Sequence, residues 1–446
     1  MPVSIVVGAQ WGDEGKGKVT DFLAAGADVV ARYQGGNNAG HTVVVGTEEY
    51  KLQLIPSGSI HDEVRNVIGN GVVIDPIALM AELKKLQDKG LKPQVFVSDR
   101  AHVILHTHKL LDGAYEDKAG ASGFGTTRKG IGPAYTDKAA RHGIRMGDLL
   151  DPAGLRSRLM ETLPESLHLL KLRGGSIPGH DIDSLLRDPS PYVDELTKEY
   201  AGYGEALASR ITDTVGLLHD ALDEGATIVL EGAQGTFLDV DHGTYPFVTS
   251  SSTTSGGACI GTGIPPTLID EVIGIVKAYT TRVGAGPFVT ELDHTMGAGK
   301  HMSEVGREFG TVTGRRRRCG WLDLVLLKRA VQVNGMTSVA LTKLDVLGGI
   351  DELKVCVAYE VDGKRTERMP SRIDAVAKAK PIYETMPGFE PLSKAIVAKA
   401  SREGLAALPG SARDYVDFIE DALEVQIALV GLGAGREQTI DRRTLH

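Results

Sequence analysis

The sequence predicts an α/β protein with a central, mostly parallel sheet carrying a P-loop-like phosphate site, a helical insertion and a third mixed α/β subdomain. Three observations predict it. Short apolar, β-branched runs alternate with helix-periodic stretches over the first hundred residues. Between about 102 and 225 the texture becomes helical, and from 227 strand signals return and continue towards 430. At 446 residues the chain exceeds the usual size of one compact core. We therefore expect a central core from 1–101 plus 226–270, a helical insertion at 102–225 and a mixed region at 271–446.

The elements follow in order. Residues 3–7 form an apolar strand that feeds the turn Gly12-Asp13-Glu14-Gly15-Lys16-Gly17-Lys18, with a helix from about Gly15. A second strand at 29–33 leads into Gly35-Gly36-Asn37-Asn38-Ala39-Gly40-His41-Thr42. A helix is expected at 77–88, because Asp75 can cap it, Pro76 suits its first turn and Gly90 can end it. The insertion should be helical, broken by a loop at 120–133 and by Gly174-Gly175. A strand at 227–231 rejoins the sheet. Farther on, a helix at 321–333 and a strand at 338–342 are expected, the strand delivering Lys343-Leu344-Asp345 to a loop at its carboxyl end, where α/β sheets meet ligands. The polar stretch 363–381 reads as a surface hairpin and helix.

The glycine turns carry most of the functional information. Backbone N–H groups in such a turn wrap an anion. A carboxylate among them, Asp13, would repel phosphate unless it holds a metal ion or removes a proton. The spacing Gly12-x4-Gly17-Lys18 satisfies most of the P-loop pattern, but Val19 stands where Ser or Thr would meet magnesium, so a metal needs other oxygen ligands. His41 adds an imidazole, although a lone histidine is more often structural.

The arginine run at 315–318 concentrates positive charge suited to carboxylates and phosphates. A net charge of −9 argues against general nucleic-acid affinity, so that charge should serve a local anion. Asp345, a carboxylate just past a strand end, could accept from two donors on one edge of a ligand and so discriminate by hydrogen bonding. Cys259, Cys319 and Cys356 show no CxxC pair and no metal-ligand spacing, which predicts a reducing compartment, no disulfides and no structural zinc. Cys319, beside the arginines, is read as inert rather than reactive. With no leader-like segment and no run of membrane-spanning length, a cytoplasmic protein without membrane or nucleic-acid partners is expected.

Five segments, GDEGKGK at 12–18, GGNNAGHT at 35–42, EGAQGTFLDVDHGTYPFVTSS at 231–251, TGRRRR at 313–318 and TKLD at 342–345, together resemble the adenylosuccinate synthetase family. The resemblance implies GTP-dependent ligation of IMP and L-aspartate to adenylosuccinate through 6-phosphoryl-IMP, the first committed step from IMP to AMP. It implies Asp13 as base and a protonated His41 as stabiliser of the leaving phosphate. GTP would meet Gly12, Asp13, Glu14, Gly15, Lys16, Gly17, Lys18, Gly40, His41, Thr42, Arg317, Lys343, Leu344, Asp345, Gly431, Leu432 and Gly433. IMP would meet Asp13, Lys16, Asn38, Ala39, Gly40, His41, Thr127, Gln234, Thr249 and Arg315, with Arg141 reaching in from the other subunit of a homodimer. L-Aspartate would meet Thr311, Val312, Thr313, Gly314, Arg315 and Arg317, and one Mg2+ would be held by Asp13 and the Gly40 carbonyl. The resemblance thus puts an IMP-side loop in the insertion, and the aspartate and guanine loops in the last region.

The match weakens at 431–436, where the family usually has Ser or Thr and a Gly-Pro step; guanine specificity then rests mainly on Asp345. Asn37 replaces a histidine of some relatives. The alternative from another class is a GTP-binding regulatory switch, and a weaker one a nucleic-acid binder using the arginine run.

Overall fold

The computed structural model describes residues 3–119, 125–309 and 316–443. Its centre is a ten-stranded sheet. From one edge the order is Thr439–Asp441, Ile427–Gly431, Ser338–Thr342, Glu271–Lys277, Val3–Gly8, Ile228–Glu231, Val29–Arg32, Arg65–Ile68, Gln94–Ser98 and Ile211–Thr212. All neighbours are parallel except the Thr439–Asp441 edge. A parallel sheet is buried on both faces, which explains the unbroken apolar runs. Val3, Ile5 and Val7 pack into the largest core with Val29, Ile228, Val339 and Ile427. Val6, Val30, Val229, Ile273 and Ala340 face the other way, against Val19 and Ala24 of the helix Lys16–Ala24.

Several expectations shift by a few residues for local reasons. The first strand ends at Gly8 and the second at Arg32, one residue before Tyr33. The helix Pro76–Asp88 is capped by Asp75, which accepts from the N–H groups of Ile77 and Ala78. The loop expected to run to Pro133 ends earlier, because the helix Ile131–Ala140 contains that proline in its first turn, where a missing N–H costs no intrahelical bond. The helix expected from Trp321 begins at Leu324. Asp323 caps it, and Leu322–Asp323 instead pair with Val355 and Cys356.

The stretch 102–225 is chiefly helical, with Pro152–Leu172 and Ser190–Leu207 its longest helices, but it also lends the strand Ile211–Thr212 to the sheet edge. Its apolar residues, including Leu159, Leu163, Tyr192 and Leu196, share one cluster with Val43, Leu54, Ile74, Leu83 and Val97 of the preceding segment. Beyond Thr342, a long hairpin of Ile350–Val361 and Lys380–Phe389 and a helix Ile373–Lys378 account for the polar stretch. No helix among the described residues is long and apolar enough to cross a membrane.

Candidate active site

The loops leaving the carboxyl ends of six central strands converge, as the topology of a parallel sheet requires. After Gly8 the chain enters the first glycine turn, where Gly12, Asp13 and Gly15 have φ of 84°, 60° and 95°. Asp13 thus adopts a left-handed backbone that non-glycine residues rarely take. The turn is braced from within. Glu14, fully buried, accepts from the N–H groups of Gln10 at 3.0 Å and Gly12 at 2.8 Å, and takes the Lys16 ammonium at 2.6 Å. Gly17 must lack a side chain, since a Cβ there would come within 2.9 Å of the His41 Cβ.

His41 opens the hairpin His41–Val45 with Glu48–Leu52. Its Nδ1 donates to the Glu231 carboxylate and lies 3.1 Å from Arg32 Nη2. Glu231 also accepts from the Ser57 hydroxyl at 2.6 Å and the Ser57 N–H at 2.8 Å. Burial works to raise the Glu231 carboxyl, but Arg32 and His41 outweigh it and hold it at about 2. Burial, then Arg32, push His41 below the ordinary imidazole value despite the opposing Glu231. The balance therefore favours a neutral ring with Nδ1–H at pH 7, and the protonated ring expected from the resemblance requires the negative charge of a substrate beside it.

The arginine segment meets the first glycine turn across 304 residues of sequence, where Arg317 Nε donates to Asp13 Oδ2 at 2.6 Å. Arg317 Nη1 donates to buried Glu308 at 2.9 Å. Thr311, Val312, Thr313, Gly314 and Arg315 lie outside the described residues. Cys319 is buried, and burial pushes its thiol up to about 11, in keeping with an inert residue.

At the end of the strand Ser338–Thr342, Thr342 donates its hydroxyl to the Glu14 carbonyl at 2.5 Å, tying the strand end to the glycine turn. Lys343 has φ 59° and donates to the Gly306 carbonyl at 2.6 Å. Leu344 is buried, and Asp345 Oδ1 is buried without a hydrogen-bond partner while burial raises the carboxyl's pKa. Lys18 donates to the carbonyls of Gly433 at 2.7 Å and Gln438 at 3.0 Å, so it braces the loop that contains Gly431, Leu432 and Gly433. Burial lowers the Lys18 ammonium to about 8.

Gln234, with φ 57°, donates to Asn38 at 3.1 Å, and its Oε1 is buried without a partner. Thr249 is half-buried and its N–H bonds the Leu238 carbonyl at 2.8 Å. Ala39 is buried, while Gly40 and Thr42 are partly so. Thr127 is half-buried before the helix Ile131–Ala140, and Arg141 ends that helix, exposed, with φ 68°. The structure also collects residues that sequence reasoning missed: Arg32, Glu231, Ser57 and Glu308. A signal existed for two of them, because a charged residue ending a buried parallel strand, as Arg32 and Glu231 do, marks the ligand edge.

Residues 5–440 match the family model for adenylosuccinate synthetase. The chain belongs to the adenylosuccinate synthetase family. The adenylosuccinate synthetase of Trichormus variabilis is 48% identical over 437 residues, 98% of this chain and 93% of that protein. That of Moorella thermoacetica is 50% identical over 442 residues, 99% of each. The structure of fully ligated adenylosuccinate synthetase from Plasmodium falciparum matches with a TM-score of 0.87 at 35% identity, over 99% of this chain and 100% of that one.

Membership of the adenylosuccinate synthetase family carries the reaction, GTP-dependent ligation of IMP and L-aspartate in AMP synthesis, with magnesium required, and does not favour a regulatory switch. The residues present fit the ion. Among the described residues no cluster of three or more His, Cys, Asp or Glu could hold a metal unaided. Asp13, its side chain 29% exposed in the first glycine turn, is one carboxylate of the kind that a Mg2+ completed by phosphate oxygens and water would need.

Proposed function

We propose that this chain joins IMP to L-aspartate with Asp13 as general base and His41 as the group facing the transferred phosphate. The observation that supports it most is the place of Asp13, held left-handed among phosphate-binding amides and paired with Arg317. Asp13 takes the N1 proton of IMP, and the charge passes to O6. That oxygen attacks the γ-phosphorus of GTP, the bond to the β-bridging oxygen breaks and GDP leaves. The aspartate amine, as the free base, then attacks C6, the C6–O6 bond breaks so that phosphate departs with its electron pair, and the new nitrogen substituent gives up one proton to the departing phosphate. Glu231 holds the His41 Nδ1, which leaves Nε2 for the phosphate; Lys16 adds a point charge. Asp13 and the Gly40 carbonyl would hold Mg2+, which when bound neutralises charge on the phosphate oxygens.

Arg317 exchanges Asp13 for a carboxylate of L-aspartate, which frees the base as the substrate arrives. Thr311, Val312, Thr313, Gly314 and Arg315 complete that subsite, Arg315 touching IMP as well. Lys343, Leu344 and Asp345, with Gly431, Leu432 and Gly433, hold guanine, and the unpartnered Asp345 oxygen supports this reading. Asn38, Ala39, Thr127, Gln234 and Thr249 hold IMP, joined by Arg141 from the second subunit of a homodimer. In this division 1–101 with 226–270 grips phosphate, 102–225 carries the IMP-side loop, and 271–446 brings the aspartate and guanine loops. The enzyme acts in the cytoplasm. The test is an assay with purified chain, IMP, GTP, Mg2+ and aspartate, following the ultraviolet change of adenylosuccinate formation. Product should require all four components, and turnover without any one of them would refute the scheme.

A further inference from the structure

Glu308 is fully buried and faces three cations drawn from separate parts of the chain. Lys277, ending a central strand, lies 3.0 Å away; Arg317 donates at 2.9 Å; Lys343 lies 3.4 Å away. The Tyr279 hydroxyl donates to the same carboxylate. Burying such a group costs several kcal/mol of hydration, roughly what close pairing recovers, so an apolar cluster would serve stability as well. Its distinctive contribution is position.

The backbone leads to the same point. Glu308 and Phe309 meet Arg316 and Arg317 in the main chain: Phe309 bridges Arg316, and the Arg317 N–H donates to the Glu308 carbonyl at 2.9 Å. Main chain and side chain of Glu308 therefore both grip Arg317. The guanidinium uses separate nitrogens, Nη1 for Glu308 and Nε for Asp13.

We propose that Glu308 is a positioning residue for the aspartate subsite: it anchors Arg317 through Nη1, so that the guanidinium turns between Asp13 and the substrate carboxylate on a fixed pivot. The inference rests on the reading above that Arg317 binds L-aspartate. Lys343 keeps its shorter bond to the Gly306 carbonyl without Glu308, so guanine binding is not expected to depend on the anchor.

The test is steady-state kinetics of the full chain carrying Glu308→Gln, Arg317→Leu and both. Glu308→Gln should raise the KM for aspartate about tenfold or more while those for GTP and IMP stay within about threefold, as loss of one partner of a buried charge pair implies. Added to Arg317→Leu, it should change the aspartate KM by less than about twofold, because its route is already cut. Equal changes in all three KM values, a fall in melting temperature alone, or full additivity in the double variant would overturn the proposal. Should Glu308→Gln fail to fold, Glu308→Asp carries the same test, since it keeps a negative charge among the cations and shortens the reach to Arg317 Nη1; an unchanged aspartate KM there overturns it equally. If Arg317→Leu leaves the aspartate KM unchanged, the assignment of Arg317 itself fails, a result distinct from failure of Glu308→Gln alone.

Discussion

Asp13 and His41 are both held by charged neighbours, and each hold has a measurable consequence. Asp13→Asn keeps the size and loses the base, so kcat should fall about 100-fold or more, with a smaller change in the KM for IMP; near-normal turnover would remove Asp13 from the chemistry. For His41, burial and Arg32 lower the imidazole pKa. Glu231→Gln removes the opposing carboxylate, which should lower it further and move the pH dependence of kcat to more acid values. An unshifted profile would mean that the ring does not titrate in the reaction. Asp345→Asn replaces an acceptor by an amide, so the variant should lose preference for GTP and gain use of xanthosine 5′-triphosphate, whose C2 oxygen accepts where guanine donates. Unchanged nucleotide preference would place guanine recognition elsewhere.

At the scale of elements, Asp323 shows how one residue serves two structures. It caps the helix Leu324–Asn334 through the N–H groups of Val325 and Leu326, and it accepts from the Tyr359 hydroxyl of the long hairpin at 2.5 Å. Burial raises its carboxyl from 3.8 to about 7. The folded state thus prefers the neutral form, and the contribution to stability is full below the unfolded value and is lost as pH rises through about 7. Asp323→Asn keeps the cap and carries no charge, so it should stabilise by on the order of 1 kcal/mol at pH 8 and by less at pH 5. A melting temperature that falls equally at both values would contradict the account.

Across the whole molecule, the exposed Arg141 ends the helix Ile131–Ala140 and is not among the contacts that join the glycine turns, the arginine segment and the loop after Thr342. If it serves the other subunit, mixing Arg141→Leu with Asp13→Asn, both nearly inactive, should restore activity. Random exchange in a two-fold dimer leaves about a quarter of the sites with both intact residues. Absence of recovery after verified exchange would place Arg141 outside the partner's site.

What could be read from residue order is whatever depends on neighbours in the chain. Apolar runs foretold the strands, Asp75-Pro76 a helix start, and the glycine spacing a tight turn after the first strand, because backbone propensity and hydrogen bonding act within a few residues. Pro133 and Trp321 misled by position, since a proline is tolerated in a first helical turn and the apolar stretch at Trp321 runs into a short strand, Leu322–Asp323, before the cap. Folding alone decided which distant charges meet. Nothing near Asp13 in sequence announces Arg317, nor near His41 announces Glu231, and Glu308 resembles any surface acid until the chain encloses it. Ion pairs across hundreds of residues are set by the sheet order, a property of the whole fold that no local pattern encodes.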